Sequence, residues 1–437
     1  MSATAVMTSS APNTPQIQSL RLKAFAAEET TEELSLDALE DDDTSEETVT
    51  PDTFDRNSIS ELVASHGSSS STAWLEFSRY KIWQASKPIA PSTFAPVQGY
   101  MRKGNWVFAW GNPIVSTPDA LEAAARAFVQ YISSLDSKLK VVWVCVDQAM
   151  ERALGEMLGW STVHCIYEDV IDPRRVIEVV DAPEKKNKRG EETKKLSKEE
   201  KEHQEIIKDL KKNLRRAEKA GVTTGEVVGE LSEEDRVTIE KGIDDWKKHR
   251  HGIQIASTTM VPWLDKEHRR YWLARDANNQ PIAILILTKI NAQPHAPTPD
   301  TSLSYMHGHP EHPHHISYQI KNAVSFPDAP KGTSEKLISS ALRDLDREQT
   351  RKLQLGCYTV TFGISAANSM VPTHNLSGWK VHTLSNTYNK VAKSTGLLNR
   401  LEFRKKFESI HEPMFVCYPE DGFGLDGVMA LLKALRK

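Results

Sequence analysis

The sequence predicts an α/β protein in which one plan of strands and helices is built twice in tandem. Three observations point that way. The chain has 437 residues, more than one hydrophobic core usually supports, so two domains are the natural expectation. On either side of residue 200, short apolar runs alternate with helix-period segments, the pattern of strands exchanging with helices. Between the two patterned stretches lies a segment of high charge and low apolar content, which reads as a linker with a solvated helix.

Residues 1–70 form the first region. They are rich in Ser, Thr, Asp and Glu, and residues 28–55 hold thirteen carboxylates with no Lys or Arg. Such a segment cannot bury enough apolar surface to offset its chain entropy, so it reads as a disordered acidic tail. The first domain is expected over 71–180, with folded structure starting near Thr72. Trp74, Phe77, Tyr80 and Trp83 recur at helical spacing and read as core packing. Gln98 to Arg102 and Trp106 to Trp110 flank Gly104-Asn105 as a hairpin. Pro118-Asp119 opens a helix through Ile132, Lys140 to Val146 is a strand buried on both sides, Gln148 to Leu158 is a helix capped by Gly159, and Ser161 to Ile171 is another strand.

The charged linker and basic helix span 181–222. Ile206, Ile207, Leu210, Leu214 and Ala217 lie on one helical face, while Lys208, Lys211, Lys212, Arg215, Arg216 and Lys219 crowd the remainder. Gly221 ends that helix. The second domain, 223–437, repeats the grammar of the first. Tyr271 to Arg275, an Asn278-Asn279 turn and Pro281 to Lys289 form a hairpin; His314 to Ser325 is a strand, Thr333 to Leu345 a helix and Leu353 to Phe362 a strand.

Cys145, Cys165, Cys357 and Cys417 show no Cys-x-x-Cys spacing, which argues against a zinc site or a disulfide framework and fits a reducing compartment. No window approaches the roughly 20 apolar residues of a membrane span. A cytoplasmic protein is expected, with any membrane contact peripheral. The apolar face of Gly427 to Lys437 either docks on its own domain or, flanked by Lys433, Arg436 and Lys437, lies at a membrane surface. His307 to His315 packs five imidazoles and Glu311 into nine positions. Prolines interrupt the run and no cysteine is near it, so no metal is expected.

Three segments together resemble the lysyl-phosphatidylglycerol synthase C-terminal family. Lys212-Asn-Leu-Arg-Arg-Ala-Glu-Lys-Ala-Gly-Val222 is similar to the basic helix that opens that family's catalytic domain. Phe326-Pro-Asp-Ala-Pro-Lys-Gly-Thr333 with Leu337-Ile338 resembles its strand-to-helix loop, and Leu401-Glu-Phe-Arg-Lys-Lys-Phe407 with Glu412-Pro413 resembles its C-terminal element. The resemblance implies two tandem GNAT-like (acetyltransferase-fold) domains and transfer of an aminoacyl group from charged tRNA to a lipid hydroxyl, with aminoacyl-tRNA as co-substrate and no other cofactor. Two arginines usual in the family are missing, from Ile320-Lys-Asn-Ala-Val324 and from His411-Glu-Pro-Met414. That departure, with the acidic tail and freestanding catalytic unit, resembles the fungal members that join glycine to ergosterol, an acceptor with no phosphate for an arginine to pair.

An aminoacyl ester is already activated, so the expected chemistry is positioning of a hydroxyl, its deprotonation and stabilisation of an oxyanion. The loop Asp328, Pro330, Gly332, Thr333 and Ser334 would present helix N-terminal amides to the substrate, with Thr333 assisting, and Phe407 would help bind it. Lys406 and Arg404 would neutralise the oxyanion or tRNA 3'-end phosphates, the alternative being a solvated cationic strand. Glu412 is a candidate base or amine-binding group. Lys208, Lys211, Lys212, Arg215, Arg216 and Lys219 would track the phosphates of the tRNA acceptor stem. Competing readings are a phosphatidylglycerol-type acceptor, an acetyl-CoA-dependent N-acetyltransferase, whose Gly-rich pyrophosphate loop is not matched by Asp328 to Gly332, and a noncatalytic tRNA-binding adaptor.

Overall fold

The computed structural model describes residues 56–183, 197–249, 261–290, 315–351, 357–376, 385, 388, 399–419 and 423–435. Eleven strands among them form one sheet in the order β1-β2-β3-β4-β11-β5-β10-β9-β8-β7-β6. In chain order these are β1 (Lys81–Gln84), β2 (Val97–Lys103), β3 (Trp106–Trp110), β4 (Lys140–Val146), β5 (Ser161–Ile171), β6 (Thr223–Glu226), β7 (Arg269–Arg275), β8 (Pro281–Ile290), β9 (His315–Ser325), β10 (Cys357–His374) and β11 (Ile410–Tyr418). The helices are α1 (Arg56–His66), α2 (Thr72–Glu76), α3 (Leu121–Leu135), α4 (Gln148–Arg152), α5 (Pro173–Asp181), α6 (Lys198–Lys219), α7 (Glu233–Lys248), α8 (Thr333–Arg351), α9 (Asn399–Lys405) and α10 (Leu425–Leu435).

The tandem plan is visible in the pairing. In the first half β2 and β3 form an antiparallel hairpin, α3 crosses over, and β4 pairs parallel with β3. In the second half β8 and β9 form the hairpin, α8 crosses over, and β10 pairs parallel with β9. Each half then makes one further strand and gives it to the other: β5 pairs with β10, and β11 pairs with β4. The two exchanged strands also pair with each other and join the halves. The mixed α/β class, doubled in tandem, is the one expected.

Local chemistry explains most boundaries. Gly104 (φ +57°) makes the β2–β3 turn, Asn279 (φ +64°) the β7–β8 turn, and Gly159 and Gly221 adopt the left-handed conformation where helices were expected to stop. Ser197 and Glu200 form a reciprocal capping box that starts α6.

Several expectations are corrected. Folded structure begins before Thr72, because Ile59 and Val63 of α1 are buried in the same cluster as Trp74. Trp74, Phe77, Tyr80 and Trp83 are all buried, but α2 ends at Glu76 and β1 begins at Lys81, so two short elements supply what one helix was expected to. The apolar face of the basic helix is part of the core, where Leu210 and Ala217 of α6 pack with Val176 of α5 and Leu337 of α8, while residues 184–196 of the expected linker lie outside the described residues. β10 runs to His374, well past Phe362, and Leu401 to Lys405 is helical rather than a cationic strand.

Candidate functional site

The three segments that carry the resemblance meet in space at Asn213 of α6. Gly332, before α8, has φ +94°, and a Cβ there would stand 2.1 Å from the Asn213 carbonyl oxygen. Only glycine lets the loop lie directly on α6. Asn213 Nδ2 donates to Glu335 Oε1 at 2.9 Å, and Lys406 Nζ donates to the same oxygen at 3.1 Å while lying 2.7 Å from Asp209 Oδ2. Burial opposes the charge on Lys406, but Asp209 and Glu335 outweigh it and raise its pKa above the ordinary range. Lys406 is therefore a cation shared by two carboxylates, which ties α6 to the first turn of α8.

The loop is ordered by its own backbone. Thr333 is buried and its hydroxyl donates to the Pro330 carbonyl at 2.6 Å, Ser334 Oγ lies 2.6 Å from Ser325 Oγ, and Asp328 is exposed. Glu335 places a carboxylate in the first turn of α8, where the helix dipole favours it.

Arg404 and Phe407 do structural work. Arg404 Nη1 lies 2.6 Å from Asp169 Oδ2 and donates to the carbonyls of Gly363 and Ile364, while Nη2 donates to that of Phe362. His411 Nδ1 is 2.6 Å from the other Asp169 oxygen. Burial works to raise the Asp169 carboxyl, yet the bonds from His411 and Arg404 hold it below the usual carboxylate range. Arg404 thus clamps a bulge of β10 instead of facing phosphates. Phe407 is fully buried against Phe362 and Phe403, a core position.

The basic helix divides in two. Lys208, Lys212, Arg215 and Lys219 are exposed and fall at i, i+4, i+7 and i+11, one stripe roughly 16 Å long at 1.5 Å per residue. Lys211 is half-buried and donates to the Ala182 carbonyl, and Arg216 donates to Asn213 Oδ1. An open groove of about 490 Å³ beside the helix is lined by Lys211, Arg215, Lys336 and Arg343. Arg343 is held there by a bidentate pair with Asp181 at 2.7 Å.

The opposite face of the sheet carries a polar constellation that the sequence did not announce. Register places Arg269, Thr288, Gln319 and Thr361 in one row across β7, β8, β9 and β10. One step along, Lys321 is the extra residue of a bulge in β9 between Ile320 and Asn322. Glu76 of α2 reaches this face: its carboxylate lies 2.6 Å from Arg269 Nη2 and 3.3 Å from Lys321 Nζ. Lys321 Nζ also donates to Thr72 Oγ1 at 3.0 Å, which donates to Gln319 Oε1 at 2.6 Å. The same step along the sheet reaches the β10 bulge at Gly363 (φ +76°) and then Glu168 and Glu412, directly opposite each other on β5 and β11. The one signal in the sequence was a lysine inside an otherwise uncharged strand.

The remaining expectations place as follows. Val428, Leu431 and Leu432 of α10 pack on the first half's core, so the apolar face offered for a membrane surface is used within the protein. No helix among the described residues is long and apolar enough to cross a membrane. The histidine run lies outside the described residues except for His315.

No protein-family model and no curated protein matches the chain. Among solved structures it is similar to L-PGS from Bacillus licheniformis, with a TM-score of 0.56 and 13% identity over 87% of this chain and 97% of that one. It is also similar to the C-terminal domain (DUF2156) of a putative lysylphosphatidylglycerol synthetase from Agrobacterium fabrum, with a TM-score of 0.54 and 13% identity over 87% of this chain and 95% of that one. At this identity the likeness establishes the fold, a tandem acetyltransferase-like α/β architecture.

Proposed function

We propose that the protein transfers an aminoacyl group from charged tRNA to the hydroxyl of a membrane lipid, with glycine as the amino acid and ergosterol as the acceptor. The observation that carries this reading is the meeting of α6, the Gly332 loop and Lys406 around Asn213, within a fold similar to that of L-PGS. The stripe of Lys208, Lys212, Arg215 and Lys219 suits the phosphates of an acceptor stem, which are read without regard to sequence. Glu412, opposite Glu168, suits the α-ammonium of the aminoacyl group, because two carboxylates facing each other across a strand pair favour a cation between them. A sterol hydroxyl needs no arginine to recognise it, in keeping with the absence of one at Ile320 to Val324 and at His411 to Met414.

The test is direct. Purified protein is incubated with ergosterol liposomes, total tRNA, synthetases and each radiolabelled amino acid in turn, and the lipids are chromatographed. Labelled glycine is expected in an alkali-labile sterol ester, and RNase is expected to abolish it. Labelling from acetyl-CoA, or from free glycine without tRNA, rules the reading out; label in a phospholipid instead corrects the acceptor.

A further inference from the structure

α6 and α8 pack together, and each lends a row of side chains to the open groove between them. From α8 come Lys336, Ser339, Ser340 and Arg343, at i, i+3, i+4 and i+7, which is one face of the helix over two turns. From α6 come Lys211, Arg215 and Glu218, at i, i+4 and i+7. The last residues of α5 and Thr224 of β6 complete the walls, around a volume of about 490 Å³. The charge is positive, four cations against Asp181 and Glu218. Asp181 is already held by both terminal nitrogens of Arg343, and Glu218 stands exposed at the rim. Lys336 is half-buried and has no ion-pair partner among the described residues.

Ser339 makes the same case with a neutral group. It is 6% exposed, it lines the groove, and its hydroxyl has no hydrogen-bond partner among the described residues. A buried polar atom left unbonded is costly until a ligand satisfies it. Cations and hydroxyls together are the set that meets phosphate oxygens. Among the described residues no aromatic ring lines the groove, so it offers no platform for stacking a base and suits a backbone alone. Arg215 belongs both to this groove and to the exposed stripe of Lys208, Lys212 and Lys219. The two are one basic surface, which turns at Arg215 from the outer side of α6 onto α8.

We propose that this groove seats phosphates of the tRNA, a role that rests on the tRNA-dependent reading above. The backbone of one strand leaves the stripe at Arg215 and enters the groove, where Lys336 neutralises a phosphate and the Ser339 hydroxyl donates to one of its oxygens. The tRNA interface thus extends from α6 to α8, and the helix that carries the Gly332 loop at its start takes part in binding.

Binding of total tRNA to the full-length protein is measured by filter binding over a salt series. Lys336→Gln is expected to lower the slope of log affinity against log salt by roughly 0.7 to 0.9, the share of one phosphate. Ser339→Ala removes no charge, so its slope should match that of the wild type while affinity falls roughly three- to tenfold, the net worth of one hydrogen bond. A general attraction to the basic surface would not respond to that serine. In parallel, the lysines of the wild-type protein are acetylated with tRNA, with inorganic phosphate or with neither, and are quantified by peptide mass spectrometry. Shielding of Lys336 by tRNA, together with Lys208 and Lys212, is expected. If a variant does not fold, this shielding decides alone. Lys208 and Lys212 shielded by tRNA while Lys336 reacts as freely as before, or Lys336 shielded by inorganic phosphate and not by tRNA, overturns the groove and leaves the tRNA reading standing. So does an affinity that Ser339→Ala leaves unchanged. A wild-type protein in which tRNA shields none of the three lysines overturns both.

Discussion

Asp169 shows how a residue outside every expected site comes to control one. Its carboxylate is buried between Arg404 and His411, and Arg404 in turn grips the carbonyls of Phe362, Gly363 and Ile364. Asp169→Asn leaves Arg404 buried without its counter-charge, and a loss of about 3 kcal/mol is expected. Because the folded pKa is depressed, the stabilisation is present above the unfolded value of about 3.9 and disappears as pH falls through the folded one. The stability difference between wild type and variant, measured by urea unfolding, should thus be full at neutral pH and close below about pH 4. At this scale the sequence was partly legible. Lys406 and Gly332 were singled out for catalysis and substrate binding, and the structure sets both where the three segments meet, because their neighbours in the chain form a recognisable pattern. Arg404 and Phe407 share that pattern and turned out to be a clamp and a core residue, since a cation or a ring in a motif does not reveal which way it faces. Asn213 lay within the first of those segments but was given no role, and Glu76 and Arg269 gave no signal, as their partners are distant in sequence.

At the scale of elements, α6 separates a buried face from an exposed basic one. Leu210, Asn213 and Ala217 are buried, while Lys208, Lys212, Arg215 and Lys219 form the exposed stripe. Replacing those four with Gln is expected to leave the melting temperature nearly unchanged and to weaken tRNA binding. The slope of log affinity against log salt should fall by roughly 0.7 to 0.9 for each phosphate that is no longer neutralised. Filter binding over a salt series measures this, and an unaltered slope would place the tRNA elsewhere. The helix was read from its 3.6-residue period, and the hairpins from their turn residues. Elements without a period were misread. The four aromatics from Trp74 to Trp83 mimic a helix although a short helix and a strand place them, and in α9 the alternation of cations and rings hides a helix until its packing on β10 is seen. Tertiary packing overrides local preference in such short pieces.

For the whole molecule, the tandem α/β plan was legible from length and repetition, but the exchange of β5 and β11 was not, because nothing in a strand's own residues names its neighbour. That exchange makes the halves interdependent. Ending the chain before Ile410 removes the strand between β4 and β5 and the helix α10 that packs on the first half's core. Such a variant is expected to lose its cooperative thermal transition in calorimetry, although the deletion lies wholly within the second half; a first half that still melts cooperatively would show the exchange to be dispensable. The same exchange sets the order of events during synthesis. β5 leaves the ribosome long before β10 and β11, so the nascent chain carries an eleven-residue strand with both edges open. Until the codons for β11 have been read, that strand is a place for another chain to pair.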